Sequence, residues 1–349
     1  MTLRVVELFA GGGGAHLGIQ RAGLRHSLSV ERDPHAVATL RAAQRDGLLH
    51  DSPVFQGDVA DVDRIVGMVG SNAIYGLWAS PPCQPHSKAG PRGAGTDTER
   101  DGWPPTLNLI DWLKPRWVWV ENVTGLLTHS WPKGEPKKAC LGAGDFRACP
   151  RCYLEHGILA DLRMRYSHVG FFVVDAASFG APQNRRRVII WAGPSELARP
   201  TGTHMDPKRM TGPMGLLGLA FKPWVSMGEG LGLSEADLLD PSNREIFERP
   251  SPTVTASEVK GTRRCAANNW SPSGGHGRAS DLLHACTGVR RVTIAQATKL
   301  QFMPDDWPWQ GPKKAQYRQV GNAVPPLLSE AVVRGSLEAD GIERLRGVA

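Results

Sequence analysis

The chain predicts an α/β protein with a parallel sheet covered by helices on both faces, joined to a smaller irregular region. Three observations carry this expectation. Short apolar runs alternate with helix-like segments through the first half of the 349 residues, the pattern of βαβ units. Residues with chemical potential, among them Glu31, Asp58, Cys83 and Glu121, each follow a strand-like run, and parallel sheets bind ligands beyond the carboxyl ends of their strands. From Pro194 to Gly288 regular periodicity fades while glycine, proline, serine and threonine rise.

Taken in order, Arg4 to Phe9 predicts a first strand, and the glycines after it a tight turn into a helix. Ser27 to Glu31 predicts a second strand. Asp33 followed by Pro34 predicts an N-cap and first helical position for a helix ending at Arg45. Tyr75 to Ser80, Arg116 to Glu121, Val169 to Ala176 and Arg187 to Ala192 complete the strands, and Val292 to Leu300 and Pro326 to Leu337 read as helices.

The composition, 41% hydrophobic and 21% charged, is that of a globular protein. No apolar run approaches the ~20 residues of a membrane helix. The start, Met1 to Val6, lacks the layout of a signal peptide. A cytoplasmic protein with no membrane partner is therefore expected, its six cysteines reduced or metal-bound rather than paired. The net charge of +7 suits a polyanionic partner.

Two constellations carry chemistry. Phe9-Ala10-Gly11-Gly12-Gly13-Gly14 lies between a strand and a helix, and alone it fits a plain tight turn equally well. With Glu31, which can accept both hydroxyls of a ribose, and Asp58, which can accept from an adenine amino group, it fits an adenosine-containing ligand. A Gly-x-Gly-x-x-Gly dinucleotide register does not stand out. The second constellation is Ala79-Ser80-Pro81-Pro82-Cys83-Gln84-Pro85-His86-Ser87. Two prolines stiffen the backbone and present a thiol in polar surroundings, unlike a structural cysteine. The glycine-hinged basic stretch from Lys88 to Gly102 can close over a substrate. Glu121-Asn122-Val123 and Gln183-Asn184-Arg185-Arg186-Arg187 add an acid and arginines. Near a thiolate these suit a pyrimidine ring, although helix capping and a solvated basic patch would also account for them.

In this order the motifs resemble those of the DNA cytosine-5 methyltransferases of prokaryotic modification type, over nearly the whole chain. Arg290-Arg291-Val292-Thr293 and Gly321-Asn322-Ala323-Val324-Pro325 continue the series. The resemblance implies a Rossmann-like, S-adenosylmethionine-dependent domain with a mixed, mostly parallel sheet, and with Phe9, Ala10, Gly11, Gly13, Glu31, Asp58, Pro81, Asn322 and Val324 lining the cofactor. It implies that the target cytosine is flipped out of the duplex. Cys83, followed by Gln84, attacks C6, Glu121 engages N3 and the amine, and Arg185 fixes the base. It divides the chain into a catalytic and cofactor-binding domain, 1–193, a target-recognition domain, 194–289, and a segment returning to the catalytic domain, 290–349.

Thr253-Val254-Thr255 resembles the recurrent Thr-x-Thr of the recognition domain. Arg263 and Arg264, just beyond it, are candidate DNA readers, and Ser87 and Arg187 further DNA contacts. Double-stranded DNA, a cognate restriction endonuclease and a monomeric state complete the expectation. A transfer-RNA relative and a non-catalytic regulator are the alternatives. The long irregular region argues against the first, and the joint presence of Cys83, Glu121 and Arg185 against the second. Three departures stand out: His86 for the family's Phe, Gln296 for its Glu, and Leu300-Gln301-Phe302-Met303 for its Leu-Gln-Gly-Phe.

Cys140, Cys149, Cys152 and His156 have the spacing of a structural zinc site in a possible insertion, 129–156, poor in apolar residues. One structural zinc is the favoured reading, and incidental thiols in a loop the alternative.

Overall fold

A computed structural model describes residues 2–82, 101–129, 149–210, 221–239, 244–256, 279–288 and 291–342. Seven strands form one sheet: β1 (Arg4–Leu8), β2 (Arg25–Glu31), β3 (Val54–Gln56), β4 (Gly76–Ala79), β5 (Trp117–Val123), β6 (His168–Asp175) and β7 (Arg186–Gly193), in the order β3-β2-β1-β4-β5-β7-β6. The first five in this order run parallel, and β7 is antiparallel to both its neighbours. This is the expected mixed, mostly parallel sheet. The chain steps outward from β1 and returns on its other side at β4, so the strand order reverses between them and opens a crevice at their carboxyl ends.

Side chains alternate across the sheet, and both faces are buried. Val118 and Val120 of β5 join the core beneath α3 (Val62–Val69) and α4 (Trp103–Leu113). Trp117 and Trp119 join the opposite core, beneath α1 (Gly14–Arg21) and the helix Pro326–Ala339. Dual burial explains why β5 reads as a nearly continuous apolar run. Trp119 Nε1 donates to Ser336 Oγ at 2.8 Å. The carboxylate of Asp340 accepts from Tyr75, Arg116 and Trp117. The C-terminal segment thus returns to the sheet. It meets α1 along Gly14 and Gly18, where a Cβ would overlap the backbone of Val324 and Pro326.

The helix α2 (Pro34–Arg45) has the expected bounds, with Asp33 accepting from the amides of His35 and Ala36. The helix Ile294–Leu300 starts at a capping box in which Thr293 and Gln296 bond reciprocally. Glutamine fills that role as glutamate does, which accounts for one departure from the family pattern. Phe302 stands where the family's glycine is expected and has φ 59°, a conformation that costs a non-glycine residue about 1–2 kcal/mol.

Much of 194–289 has little regular structure among its described residues, as expected, with only the short strands His204–Met205 and Lys222–Pro223 and short helices. Its apolar residues Met227, Phe247, Val254 and Leu283 share a third core with Ala10, Leu17 and Leu40. No helix among the described residues is long and apolar enough to cross a membrane.

Candidate active site

The cofactor side begins where β1 ends. The chain turns through Phe9 (φ 58°), Gly11 (φ 55°) and Gly13 (φ 93°). Left-handed backbone is easy for the glycines but strained for Phe9. The Phe9 ring lies beside Pro81 and Gly102: a Cβ on Gly102 would be 2.8 Å from the ring and 2.9 Å from Pro81 Cβ.

Glu31 accepts the Gly11 amide on one oxygen and the Asp33 amide on the other, both at 2.8 Å. Burial pushes its carboxyl up, while these N–H groups oppose the shift. Each oxygen keeps a lone pair for a further donor. A Cβ on Gly11 would meet nothing within 4 Å, so the cradle is open where a ribose would approach its carboxylate. The Gly57 amide bonds to the Glu31 carbonyl. The next residue, Asp58, is exposed beside Arg32. Asn322 is exposed and Val324 buried, the latter's backbone against Gly14.

Two residues that the motifs do not mark complete this side. Trp307 Nε1 donates to the Gly12 carbonyl at 3.0 Å, and the Trp309 ring lies against Gly12. The available signal was an aromatic pair flanking Pro308 in a segment otherwise without a role.

On the base side, β4 and β5 pair with Ala79 opposite Val120. Continued by one residue, that register sets Ser80 level with Glu121, and Pro81 follows. Glu121 is only 9% exposed, and its Oε1 meets Arg187 Nε at 2.7 Å. The contact follows from register: Glu121 pairs with Ile189 and Val123 with Arg187, so Glu121 and Arg187 are diagonal neighbours on one face.

Arg185 has a different place from the one the motif implies. It is 1% exposed and lies one residue before β7. Its guanidinium donates to the Val254 carbonyl at 2.9 Å and the Gly321 carbonyl at 3.0 Å. The arginine on the carboxylate is Arg187, because the pairing of β5 with β7 places it diagonally from Glu121, whereas Arg185 lies before the strand begins.

Gln183 and Asn184 extend the same clamp. Gln183 donates to Leu300 O and Gln301 Oε1 and accepts from the Val254 amide. Asn184 bonds Pro250 and Ser251 through side chain and amide, and its carbonyl accepts from Thr253 at 2.6 Å. The Thr253-Val254-Thr255 segment is thereby tied to the sheet.

Cys83, Gln84, His86, Ser87, Cys140, Arg263 and Arg264 lie outside the described residues. Of the expected metal ligands, Cys149 and Cys152 come together with His129, while His156 is exposed and outside that group.

The family model for C-5 cytosine-specific DNA methylases matches residues 3–137 and 239–337. The chain belongs to this family. It is therefore a DNA cytosine-5 methyltransferase, and its methyl donor is S-adenosylmethionine. The methyltransferase is 29% identical over 362 residues to the Type II methyltransferase M.NgoMIV of Neisseria gonorrhoeae, covering 97% of this chain and 98% of that one. It is also 29% identical over 365 residues to the Type II methyltransferase M.NaeI of Lentzea aerocolonigenes, covering 99% and 78%. In fold it resembles the Entamoeba histolytica methyltransferase EhMeth, with TM-score 0.61, 15% identity and coverage of 97% and 98%. The S. pombe Dnmt2 methyltransferase gives 0.59, 15%, 96% and 98%.

Proposed function

We propose that this methyltransferase acts on a cytosine swung out of duplex DNA within one specific sequence, as the modification partner of a restriction endonuclease. The observation that carries the reading is the Glu121–Arg187 pair, buried at the end of β5 and level with the turn that leads to Cys83. Arg187 fixes one carboxylate oxygen. The other is available to the exocyclic amine of cytosine, so that Glu121 engages the amine and N3 edge of the ring.

Polarising the ring in this way favours addition of the Cys83 thiolate to C6. An S–C6 bond forms and the ring electron pair moves toward C5. Bound S-adenosylmethionine would supply the methyl carbon as an electrophile to C5, its sulfonium S–CH3 bond breaking to leave the neutral thioether. Transfer of the C5 proton to water then returns the C–H electron pair to the ring and breaks the S–C6 bond, restoring the thiolate. Glu31 and Asp58 hold the ribose and adenine of the cofactor, with Phe9, Gly11, Gly13, Pro81, Asn322 and Val324 around them.

Arg185 and Gln183 act as positioning residues, through the backbone they clamp. Ser87, Arg263 and Arg264 contact the duplex, the two arginines from the recognition domain, 194–289. The protein works as a monomer.

Duplex DNA carrying 5-fluorocytosine at the target tests the chemistry, because fluorine blocks the elimination. Wild type is expected to form a covalent complex that survives denaturation, and Cys83→Ser none, with cofactor binding kept. A serine variant with substantial turnover would overturn the assignment. Replacing Arg263 and Arg264 by alanine should relax or weaken recognition by about 1–3 kcal/mol per lost base contact. An unchanged motif, affinity and salt dependence would remove them from the interface.

A further inference from the structure

Cys149 and Cys152 are buried, 5% and 2% exposed. They open the helical run that continues through Tyr153–Ile158 to Arg163. His129 reaches them from the far side of the intervening stretch, two residues past the turn Thr124–Leu127 that follows β5. Its Nδ1 lies 3.4 Å from Cys149 Sγ, and the ligand atoms of all three residues lie within 4.8 Å of one another. Around a tetrahedral zinc, with Zn–S near 2.3 Å and Zn–N near 2.0–2.1 Å, sulfur and nitrogen sit about 3.5 Å apart. The observed separation matches such a ligand edge as well as a thiol–imidazole hydrogen bond, and the third ligand atom, Cys152 Sγ, within 4.8 Å of both adds the third corner. Cys286 is a useful contrast: it packs in the third apolar core, where burial pushes its thiol up to about 11, as for an inert structural cysteine.

We propose that Cys149, Cys152 and His129 bind one structural zinc ion. The Cys-x2-Cys spacing supplies two thiolates from one turn of helix, and His129 supplies a neutral imidazole from the end of the β5 segment. The described residues supply three ligands. Each cysteine releases a proton on binding, so affinity rises with pH. His156, one turn beyond Cys152 in the sequence, is not a ligand.

The ion closes the chain at both ends of the stretch between His129 and Cys149 and fixes the start of the helical run. That run braces the catalytic domain: Tyr153 donates to Asp101 at 2.6 Å, Asp101 caps Trp103, and Trp103 Nε1 donates to Asp161 at 2.8 Å. Asp101 and Gly102 lead into α4, at the far end of the stretch that begins with Cys83. Zinc would therefore stabilise the structure into which the catalytic stretch returns, without touching substrate.

Elemental analysis of full-length protein purified without added metal should find about one zinc per chain. His156→Ala should keep it, and His129→Ala should bind at least about tenfold more weakly. The double variant Cys149→Ser/Cys152→Ser should hold less than about a tenth of the wild-type zinc. Should that variant fail to fold, cobalt(II) titrated into zinc-stripped wild type gives an independent reading. A thiolate-to-cobalt charge-transfer band with tetrahedral visible bands is expected, and zinc should bleach it. Metal-free protein without these bands would overturn the proposal, as would zinc retained by the double variant. Zinc lost from His156→Ala but kept by His129→Ala would overturn the ligand assignment.

Discussion

The two sides of the active site are built differently. On the cofactor side the Glu31 carboxylate is held by near neighbours in sequence, Gly11 and Asp33, twenty and two residues away, and Trp307 alone of the bonds named there reaches in from afar, to the Gly12 carbonyl. The base side is held from afar. Arg185 reaches Val254 and Gly321, across 69 and 136 residues, and Gln183 reaches Leu300, across 117. A local loop can be read from its motif. A long-range clamp appears in the sequence only as residue types whose partners the fold chooses.

If that contrast is right, the largest loss of stability follows from cutting the clamp. Arg185→Ala leaves two buried carbonyls without their donor. It should cost about 3–5 kcal/mol in chemical denaturation, at 1–3 kcal/mol per orphaned group plus lost packing. A cost below about 1 kcal/mol would mean that the clamp is decorative. On the cofactor side, Gly14→Ala places a methyl against the Val324 backbone and should cost about 1–3 kcal/mol by overpacking, read as a lowered Tm.

Beneath the cofactor loop lies a buried cluster in which Glu7 Oε2 is 2.9 Å from His26 Nε2 and 3.5 Å from His16 Nδ1. Burial pushes Glu7 up to about 7, His26 down to about 3, and His16 well down. The histidines contribute stability that is present above their ordinary 6.5 and lost as pH falls. Glu7 has the opposite slope, losing stability as pH rises toward 7. Two histidines outweigh one acid, so stability should fall as pH drops below about 6.5. Glu7→Gln removes the opposing slope and should steepen that fall; denaturation midpoints at several pH values would show a shallower one if the account is wrong. The smallest expected effect is a gain. Phe302→Gly relieves a left-handed phenylalanine that is already 39% exposed, and should stabilise by about 1 kcal/mol. A drop in Tm would show that the Phe302 ring packs better than its exposure suggests.

The sheet was legible because dual burial writes apolar runs into β1, β4 and β5, and α2 was legible because Asp33 and Pro34 mark its start. The three-residue β3 was legible only as the short run ahead of Asp58, being too short to show a period. Trp307 and Trp309 were missed because nothing local says that the aromatic pair folds back onto Gly12. The choice between Arg185 and Arg187 was closed to sequence reasoning for a related reason. Both satisfy the same Gln-x-Arg-x-Arg spacing, and only the pairing of Val123 with Arg187 decides which one meets Glu121. His156 and His129 differ likewise: the first is near the cysteines in sequence, the second in space.

The central claim is this division of labour between the two arginines, and parallel measurements on Arg187→Ala and Arg185→Ala test it most directly. Methyl transfer to cognate DNA is measured beside the denaturation midpoint of each variant. Arg187→Ala should still fold and bind cofactor, at a smaller stability cost than Arg185→Ala for its unpaired Glu121, with kcat down about 10²–10³-fold, the usual cost of removing one preorganised electrostatic contact at a reacting centre. Arg185→Ala should lose stability first, and activity only as its fold loosens. An Arg187→Ala enzyme with wild-type turnover, or an Arg185→Ala enzyme of full stability without turnover, would contradict the account.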